Sequence, residues 1–191
     1  MFPAETFRHT LVRLAAIFDR LGIRFHLTGG VSSIAYGEPR MTQDIDLVVD
    51  PRHLAARLDE FLDAVEAAGF LIDAETTRRA VADAGMFQLL DLTESLKVDL
   101  YPREMIQGEL ERSTWAEVFE GVTLPIVSRP DAALSKLVWV SKGSHKSRGD
   151  LRHIMQRAIA GERALVERRA ADLGLAHLLA EVLTEPDMIG P

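Results

Sequence analysis

The segment DIDLVVD, residues 44–50, constrains the fold of this chain more than any other. Its alternation and its β-branched residues predict a strand. Side chains two positions apart in a strand point to the same side, so Asp44 and Asp46 share one face. Two neighbouring carboxylates repel, and burying them costs stability unless a cation lies between them. The segment therefore indicates either a site for Mg²⁺ or Mn²⁺, which prefer oxygen ligands, or an edge strand with two solvated acids.

Hydrophobic spacing and turn residues divide the rest of the chain into two parts. Up to Ser128 the pattern predicts helices over 4–21, 31–36 and 51–68, strands over 23–27, 44–50 and 70–72, a hairpin of 86–90 with 96–101, and an extended stretch over 122–127. Beyond it, the pattern predicts helices over 130–141, 148–160, 162–173 and 176–183. We therefore expect an α+β fold, with a core of mixed β-sheet and flanking helices at 1–128 and a helical region at 129–191 packed on it.

Composition excludes several classes of protein. The chain has 191 residues and no cysteine, which rules out a disulfide framework and a thiolate zinc site and fits a cytoplasmic location. No apolar run approaches the roughly 20 residues that cross a bilayer, so we expect no membrane association. The net charge of −7 argues against an overall nucleic-acid-binding surface. Residues 136–157 nevertheless contain six Lys or Arg and one acid, which indicates a polyphosphate or RNA partner or a solvated helix face.

Two further segments carry candidate chemistry. Gly29 and Gly30 stand where a strand passes into a helix, so their backbone can approach a phosphate, although a tight turn with no ligand would look the same. Asp99 lies in the second strand of the hairpin and supplies a third carboxylate on a neighbouring strand. Three converging carboxylates can hold two metal ions, one activating the attacking hydroxyl and one neutralising the leaving group.

The run FHLTGGVSSIAYGEPRMTQDIDLVVD resembles the signature of the DNA polymerase β-like nucleotidyltransferase superfamily. That signature is a Gly-Gly or Gly-Ser pair, an Asp-x-Asp in a hydrophobic strand, and a later acid in another strand. Within that superfamily the chain resembles the small bacterial AbiEii toxin-like nucleotidyltransferases and their relatives. Their Arg-x-Thr-x-Asp-x-Asp pattern is matched by Arg40, Thr42, Asp44 and Asp46, and their later Lys and Arg-x-Asp by Lys136 and residues 148–150.

The resemblance implies a nucleotidyltransferase-type core at 1–128 and a role for each matching residue. Asp44, Asp46 and Asp99 would be catalytic and would bind Mg²⁺ or Mn²⁺, while the nucleotide would be bound by Gly29, Gly30, Ser32, Arg40 and Lys136. Many relatives have Gly-Ser where this chain has Gly-Gly, so the position of any hydroxyl contact stays open between Ser32 and Ser33. From the residues alone, Arg40 is equally compatible with a surface arginine, and Lys136 with a lysine that reaches solvent from an apolar helix.

The leading hypothesis is an enzyme that moves a nucleoside monophosphate from an NTP to an acceptor hydroxyl on RNA, a protein or a small molecule. An alternative is a non-catalytic nucleotide-binding or antitoxin-like protein of the same fold, and a protein partner is compatible with both. A phosphotransferase that moves only the γ-phosphate is a third hypothesis. It is disfavoured because the chain has no GxxxxGK[ST] loop and no kinase signature.

Overall fold

A computed structural model describes residues 4–38 and 42–186, which form helices and strands as follows. The helices are α1 (Ala4–Leu21), α2 (Gly29–Tyr36), α3 (Pro51–Ala56), α4 (Leu58–Ala67), α5 (Ala74–Ala82), α6 (Arg129–Ser141), α7 (Lys146–Gln156), α8 (Ala160–Asp172) and α9 (Ala176–Thr184). The strands are β1 (Phe25–Leu27), β2 (Asp44–Val49), β3 (Phe70–Leu71), β4 (Phe87–Asp91), β5 (Leu96–Tyr101), β6 (Thr114–Phe119) and β7 (Val122–Ile126). The predicted α+β class is confirmed.

The strands form one mixed sheet in the order β3-β4-β5-β2-β1-β7-β6. Strand β2 lies near its centre, parallel to β5 and antiparallel to β1. Along β2, Ile45 and Leu47 are fully buried, while the two acids that alternate with them are only partly buried. Phe18 of α1 and Phe61 of α4 stack at 5.7 Å between ring centroids and are fully buried. The alternation thus leaves the acids on the sheet face opposite to Ile45 and Leu47.

Several local predictions were wrong at their boundaries. The helix expected over 51–68 is two helices, because Arg57 leaves helical geometry with φ −126°. Helix α5 was missed because Thr77 is its only buried residue and Val81 its only large apolar one, so few apolar residues mark it in the sequence. Strand β6 was missed because it is an edge strand whose residues are largely exposed. The helix expected over 148–160 begins and ends earlier, since α7 spans Lys146–Gln156.

The chain divides into two compact units. The first unit comprises Met1–Val31 and Met41–Val127 and contains the whole sheet. The second comprises Ser32–Arg40 and Ser128–Pro191, and within it α6 packs against α7 and α8. In the described part of the chain, no helix is both long and apolar enough to cross a membrane.

Candidate active site

The register of three adjacent strands places the predicted acids side by side. Asp46 of β2 pairs with Asp99 of β5, and Asp44 pairs with Lys97. On the other side of β5, Asp99 pairs with Gln88 of β4. Side chains at paired positions project to the same face of a sheet. Three carboxylates, an ammonium and an amide therefore occupy one face, which we call the acid face.

Both carboxylate oxygens of Asp99 accept a hydrogen bond. The Gln88 side-chain amide donates to Oδ1 at 2.9 Å, and the Lys97 ammonium donates to Oδ2 at 3.2 Å. The Asp99 side chain is 9% exposed, whereas that of Lys97 is 44% exposed. The carboxylate is therefore held by a partner from the neighbouring strand and by a cation that solvent can reach.

Asp46 is held by a tyrosine and by the start of helix α2. The hydroxyl of Tyr101 donates to its Oδ1 at 3.4 Å, and the backbone N–H of Gly30 donates to its Oδ2 at 3.4 Å. Burial, followed by the nearby carboxylates of Asp46, Asp99 and Asp44, raises the pKa of the Tyr101 hydroxyl well above its usual value. The tyrosine thus keeps its proton and acts as a donor to Asp46.

The glycine pair brings a helix N-terminus against this carboxylate. A Cβ atom at Gly29 would lie 1.9 Å from Asp46 Oδ2, and Gly29 has φ +59°, where residues with side chains are strained. Only glycine fits here, because no side chain can occupy that space. Helix α2 begins at Gly29, two residues earlier than predicted, so the start of its first turn lies next to Asp46, to which the Gly30 N–H donates. The sequence predicted an approach of this backbone to a phosphate; the structure shows its approach to Asp46, and the phosphate contact stays a prediction.

The remaining predicted residues of the nucleotide site lie in different settings. The Thr42 hydroxyl donates to Asp44 Oδ1 at 3.2 Å. Arg40, predicted to bind nucleotide, lies outside the described residues. Ser32 is 1% exposed, and Ser33 is 2% exposed and donates from its hydroxyl to Asp150 Oδ2 at 3.0 Å. The Ser33 hydroxyl is therefore hydrogen-bonded to Asp150, and a phosphate contact by Ser32 stays a prediction.

Lys136 is an ion-paired residue inside the second unit. Its Nζ lies 2.8 Å from Asp150 Oδ2, and its side chain is 10% exposed. The sequence suggested a lysine that either reaches solvent or contacts phosphate, and the first of these is wrong. Asp150, the one acid in the basic stretch, was the signal for this pair, because a buried lysine needs a carboxylate partner.

The residue types and the strand register of the acid face suit a divalent cation, but its carboxylates do not point toward a common centre. Among the described residues, no three His, Asp or Glu side chains are grouped so as to hold a metal ion. Each site carboxylate is instead bonded to its own neighbours, as Asp99 is to Lys97. Asp46 and Asp99 nevertheless occupy paired positions about 4.8 Å apart in adjacent strands. Rotation of these short side chains can make them converge, and carboxylate oxygens suit Mg²⁺.

The fold is similar to those of several solved structures. The antibiotic-resistance factor ANT(2'')-Ia has a TM-score of 0.59 and 17% identity, covering 93% of this chain and 99% of that one. The lincosamide antibiotic adenylyltransferase LnuA has a TM-score of 0.53 and 13% identity, covering 82% and 99%. An antigenic nucleotidyltransferase-like protein from Paracoccidioides brasiliensis has a TM-score of 0.56 and 18% identity, covering 95% and 94%. At these identities the likeness concerns the fold alone.

A comparison with curated protein sequences found no match. Residues 11–185 do match a protein family, which is described as "Nucleotidyl transferase AbiEii toxin, Type IV TA system". This match covers nearly the whole chain and confirms the resemblance based on the glycine pair and the three acids. The chain therefore belongs to the AbiEii nucleotidyltransferase family and is a nucleotidyltransferase.

Proposed function

We propose that this enzyme transfers a nucleoside monophosphate from an NTP to an acceptor hydroxyl with the help of Mg²⁺ or Mn²⁺. The observation that carries the proposal is the pairing of Asp46 with Asp99 in adjacent strands, beside the N-terminus of α2. An arrangement built only for stability would not gather three acids on one sheet face, because like charges placed opposite each other destabilise a sheet.

The three acids have distinct roles in this proposal. Asp44 and Asp46 would hold the divalent cation through their carboxylate oxygens, and Asp99 would complete the ligand set. A bound divalent cation would neutralise phosphate charge and lower the pKa of the acceptor hydroxyl. The Asp99 carboxylate takes the proton of that hydroxyl, and its hydrogen bond from Gln88 fixes its direction.

The backbone at the start of helix α2 is the proposed phosphate-binding element. The N–H groups of Gly29 and Gly30 would turn to phosphate oxygens when the nucleotide binds, as backbone donors at helix N-termini do, and the Gly30 N–H would then leave or share its bond to Asp46. The prediction that Ser32, Arg40 and Lys136 also bind the nucleotide rests on the family resemblance. The Lys136 ammonium is already paired with Asp150, so its contact with phosphate has to share or open that pair.

The acceptor is the coarsest part of the proposal, with RNA, a protein and a small molecule as the candidate classes. One fold neighbour is described as a lincosamide antibiotic adenylyltransferase, which favours a small molecule. The family is described as the toxin of a toxin–antitoxin system, which favours an acceptor whose modification harms the cell. The same description favours a protein antitoxin as partner.

Product analysis tests the reaction class. With an α-labelled NTP, release of pyrophosphate and transfer of label support nucleotidyl transfer, whereas a nucleoside diphosphate product would indicate phosphoryl transfer.

In parallel, the thermal midpoint should rise with Mn²⁺ and NTP together, since saturation at about 100 times Kd adds about 2.7 kcal/mol. Binding without turnover would favour the non-catalytic alternative. The Asp46→Asn variant serves as the control in both measurements.

A further inference from the structure

The acid face continues beyond Asp99 into an exposed apolar surface in the first unit. Lys97 pairs with Leu90 of β4, and Leu90 pairs with Leu71 of β3, so these positions extend the same sheet face outward. Leu71 is 57% exposed, Leu90 is 38% exposed, and Met86, just before β4, is 41% exposed. We call Leu71, Met86 and Leu90 the apolar platform.

The platform lines a groove that reaches the two residues bonded to Asp99. The groove has a volume of about 810 Å³ and is also lined by Gln88 and Lys97, the two residues that donate hydrogen bonds to Asp99. Sites for small organic molecules generally occupy about 300–1,000 Å³ and are mostly apolar with a few polar groups. The groove therefore has the size and lining of a substrate site, and Gln88 and Lys97 connect it to Asp99.

The order of the strands places the groove on one side of the acids and the phosphate-binding backbone on the other. Gly29 follows β1 and contacts Asp46, whereas the groove lies along β4. The strands run in the order β4-β5-β2-β1, so the acids of β5 and β2 separate the two features. In phosphoryl-group chemistry the attacking and leaving oxygens are roughly in line, on opposite sides of phosphorus. With the triphosphate at α2, the acceptor approaches from the groove.

We propose that this groove is the acceptor subsite of the proposed reaction and that it binds an organic hydroxyl compound with an apolar body. The inference rests on the proposed function. The acceptor oxygen forms a bond to the α-phosphorus, the bond from that phosphorus to the bridging oxygen breaks, and pyrophosphate leaves. The proton of the hydroxyl passes to Asp99, and the rest of the acceptor lies on the apolar platform.

The charges of the groove disfavour a nucleic-acid strand. Of the described residues that line it, Lys97 is the one cation and Asp73 the one acid. Lys97 is also paired with Asp99, which leaves little positive charge for phosphates. Binding of a nucleic-acid strand depends on several lysines or arginines that displace counterions. An apolar body with a hydroxyl group fits the groove better.

The cysteine-free sequence allows a clean test with single cysteines. Leu71→Cys places a thiol in the groove, and Leu92→Cys places one outside its lining, at matched exposures of 57% and 59%. Each variant is alkylated with a bulky maleimide and compared with its unmodified form. We expect the adduct at position 71 to lower transfer at least tenfold while Mn²⁺-dependent NTP binding, measured by thermal shift, is unchanged. The adduct at position 92 should alter neither.

The acceptor class is read from the destination of the label. Wild-type protein, Mn²⁺ and α-labelled NTPs are incubated with a cell extract that is then separated into a small-molecule filtrate, RNA and protein. We expect the label in the filtrate. Label in RNA or protein, or in no fraction despite NTP binding, would overturn the acceptor class, and equal transfer by the two adducts would overturn the groove assignment. Loss of the proposed function itself would look different, since wild type would then neither bind NTP with Mn²⁺ nor transfer label.

Discussion

Five aspartates on or beside the central strands fall into two groups with different surroundings. Asp50 and Asp91, the structural pair, each accept hydrogen bonds from one arginine and from two backbone N–H groups of the following turn. Asp44, Asp46 and Asp99 are the site acids. Asp44 accepts a hydrogen bond from a threonine hydroxyl, Asp46 from a tyrosine hydroxyl and a glycine N–H, and Asp99 from a glutamine amide and a lysine ammonium. The structural pair is neutralised within the fold, whereas the site acids stand beside one another.

The surroundings of Asp91 show what a structural acid needs. Its side chain is fully buried, the Thr10 hydroxyl donates to Oδ2 at 2.5 Å, and Arg13 forms an ion pair with the same oxygen. Burial by itself would raise the pKa of Asp91, but the hydrogen bonds from Arg13, Thr10 and the backbone outweigh it and lower the pKa. The negative charges of the site acids can be balanced by a bound cation. Mutation should therefore lower mainly the stability in the structural pair and mainly the activity in the site acids.

The largest expected effect is the loss of activity in Asp46→Asn. Removing a metal-ligand charge should slow transfer on the order of a thousandfold, about 4 kcal/mol in the barrier. Stability without metal should stay level or rise, because repulsion with Asp99 is relieved. Initial rates of pyrophosphate release and urea unfolding measure the two effects. Asp63→Asn, an exposed acid on α4, is the control and should change neither. Full activity in Asp46→Asn would remove the basis of the comparison.

The structural pair should show the reverse behaviour. Asp91→Ala leaves Arg13, which is 31% exposed, without its carboxylate and removes the acceptor for the backbone N–H groups of Thr93 and Glu94. We expect a loss of about 3 kcal/mol in the free energy of unfolding, the lower end for a broken buried pair because Arg13 can turn to solvent. Asp91→Asn should cost less, since its amide oxygen still accepts from the backbone. The rate of transfer per folded molecule should be unchanged in both variants.

Lys97 sharpens the comparison, because it is the one cation bonded to a site acid in the described contacts. If it acts as a counter-ion that a divalent metal displaces, Lys97→Met should tighten Mn²⁺ binding, by up to about fivefold for a half-exposed pair worth about 1 kcal/mol. Titration calorimetry with Mn²⁺ measures the affinity. Lys97→Arg keeps the charge and should bind Mn²⁺ like wild type. Equal affinities in all three proteins would show that Lys97 does not compete with the metal.

Much of the fold could be predicted from the sequence wherever burial creates a pattern. The strand of Asp44 and Asp46 and the hairpin that carries Asp99 were predicted because apolar and polar residues alternate there. Helix α5 could not be predicted, since Val81 is its only large apolar residue and the rest of its sequence is alanine or polar. Its N-cap, Asp73, which accepts from the N–H of Thr76, was a local signal, but a single capping residue does not define a helix.

The candidate site divides in the same way. Its three acids and the glycine pair could be proposed because their chemistry requires those residue types at those spacings. Gln88, Lys97 and Tyr101 could not, because their part in the site depends on strand register and on which face each residue shares. In the sequence, Gln88 and Lys97 look like ordinary solvent-facing strand residues. Only the pairing of β4 with β5 and of β5 with β2 shows that they lie beside the acids.

The smallest expected effect is a change in the acid dependence of stability. The pKa of Asp91 in the folded protein lies below its ordinary value of 3.8, so the folded protein binds this proton more weakly than the unfolded chain. Its contribution to stability is complete above about pH 4 and is lost as the pH falls through the lowered folded pKa. The gap in unfolding free energy between wild type and Asp91→Asn should therefore be wider at about pH 6 than at about pH 3. Urea titrations at both pH values measure it, with Asp63→Asn expected to follow wild type at each. A gap that stays constant with pH would mean that Asp91 stabilises the fold through shape and hydrogen bonding rather than through its charge, and the contrast between the two groups of acids would lose its electrostatic basis.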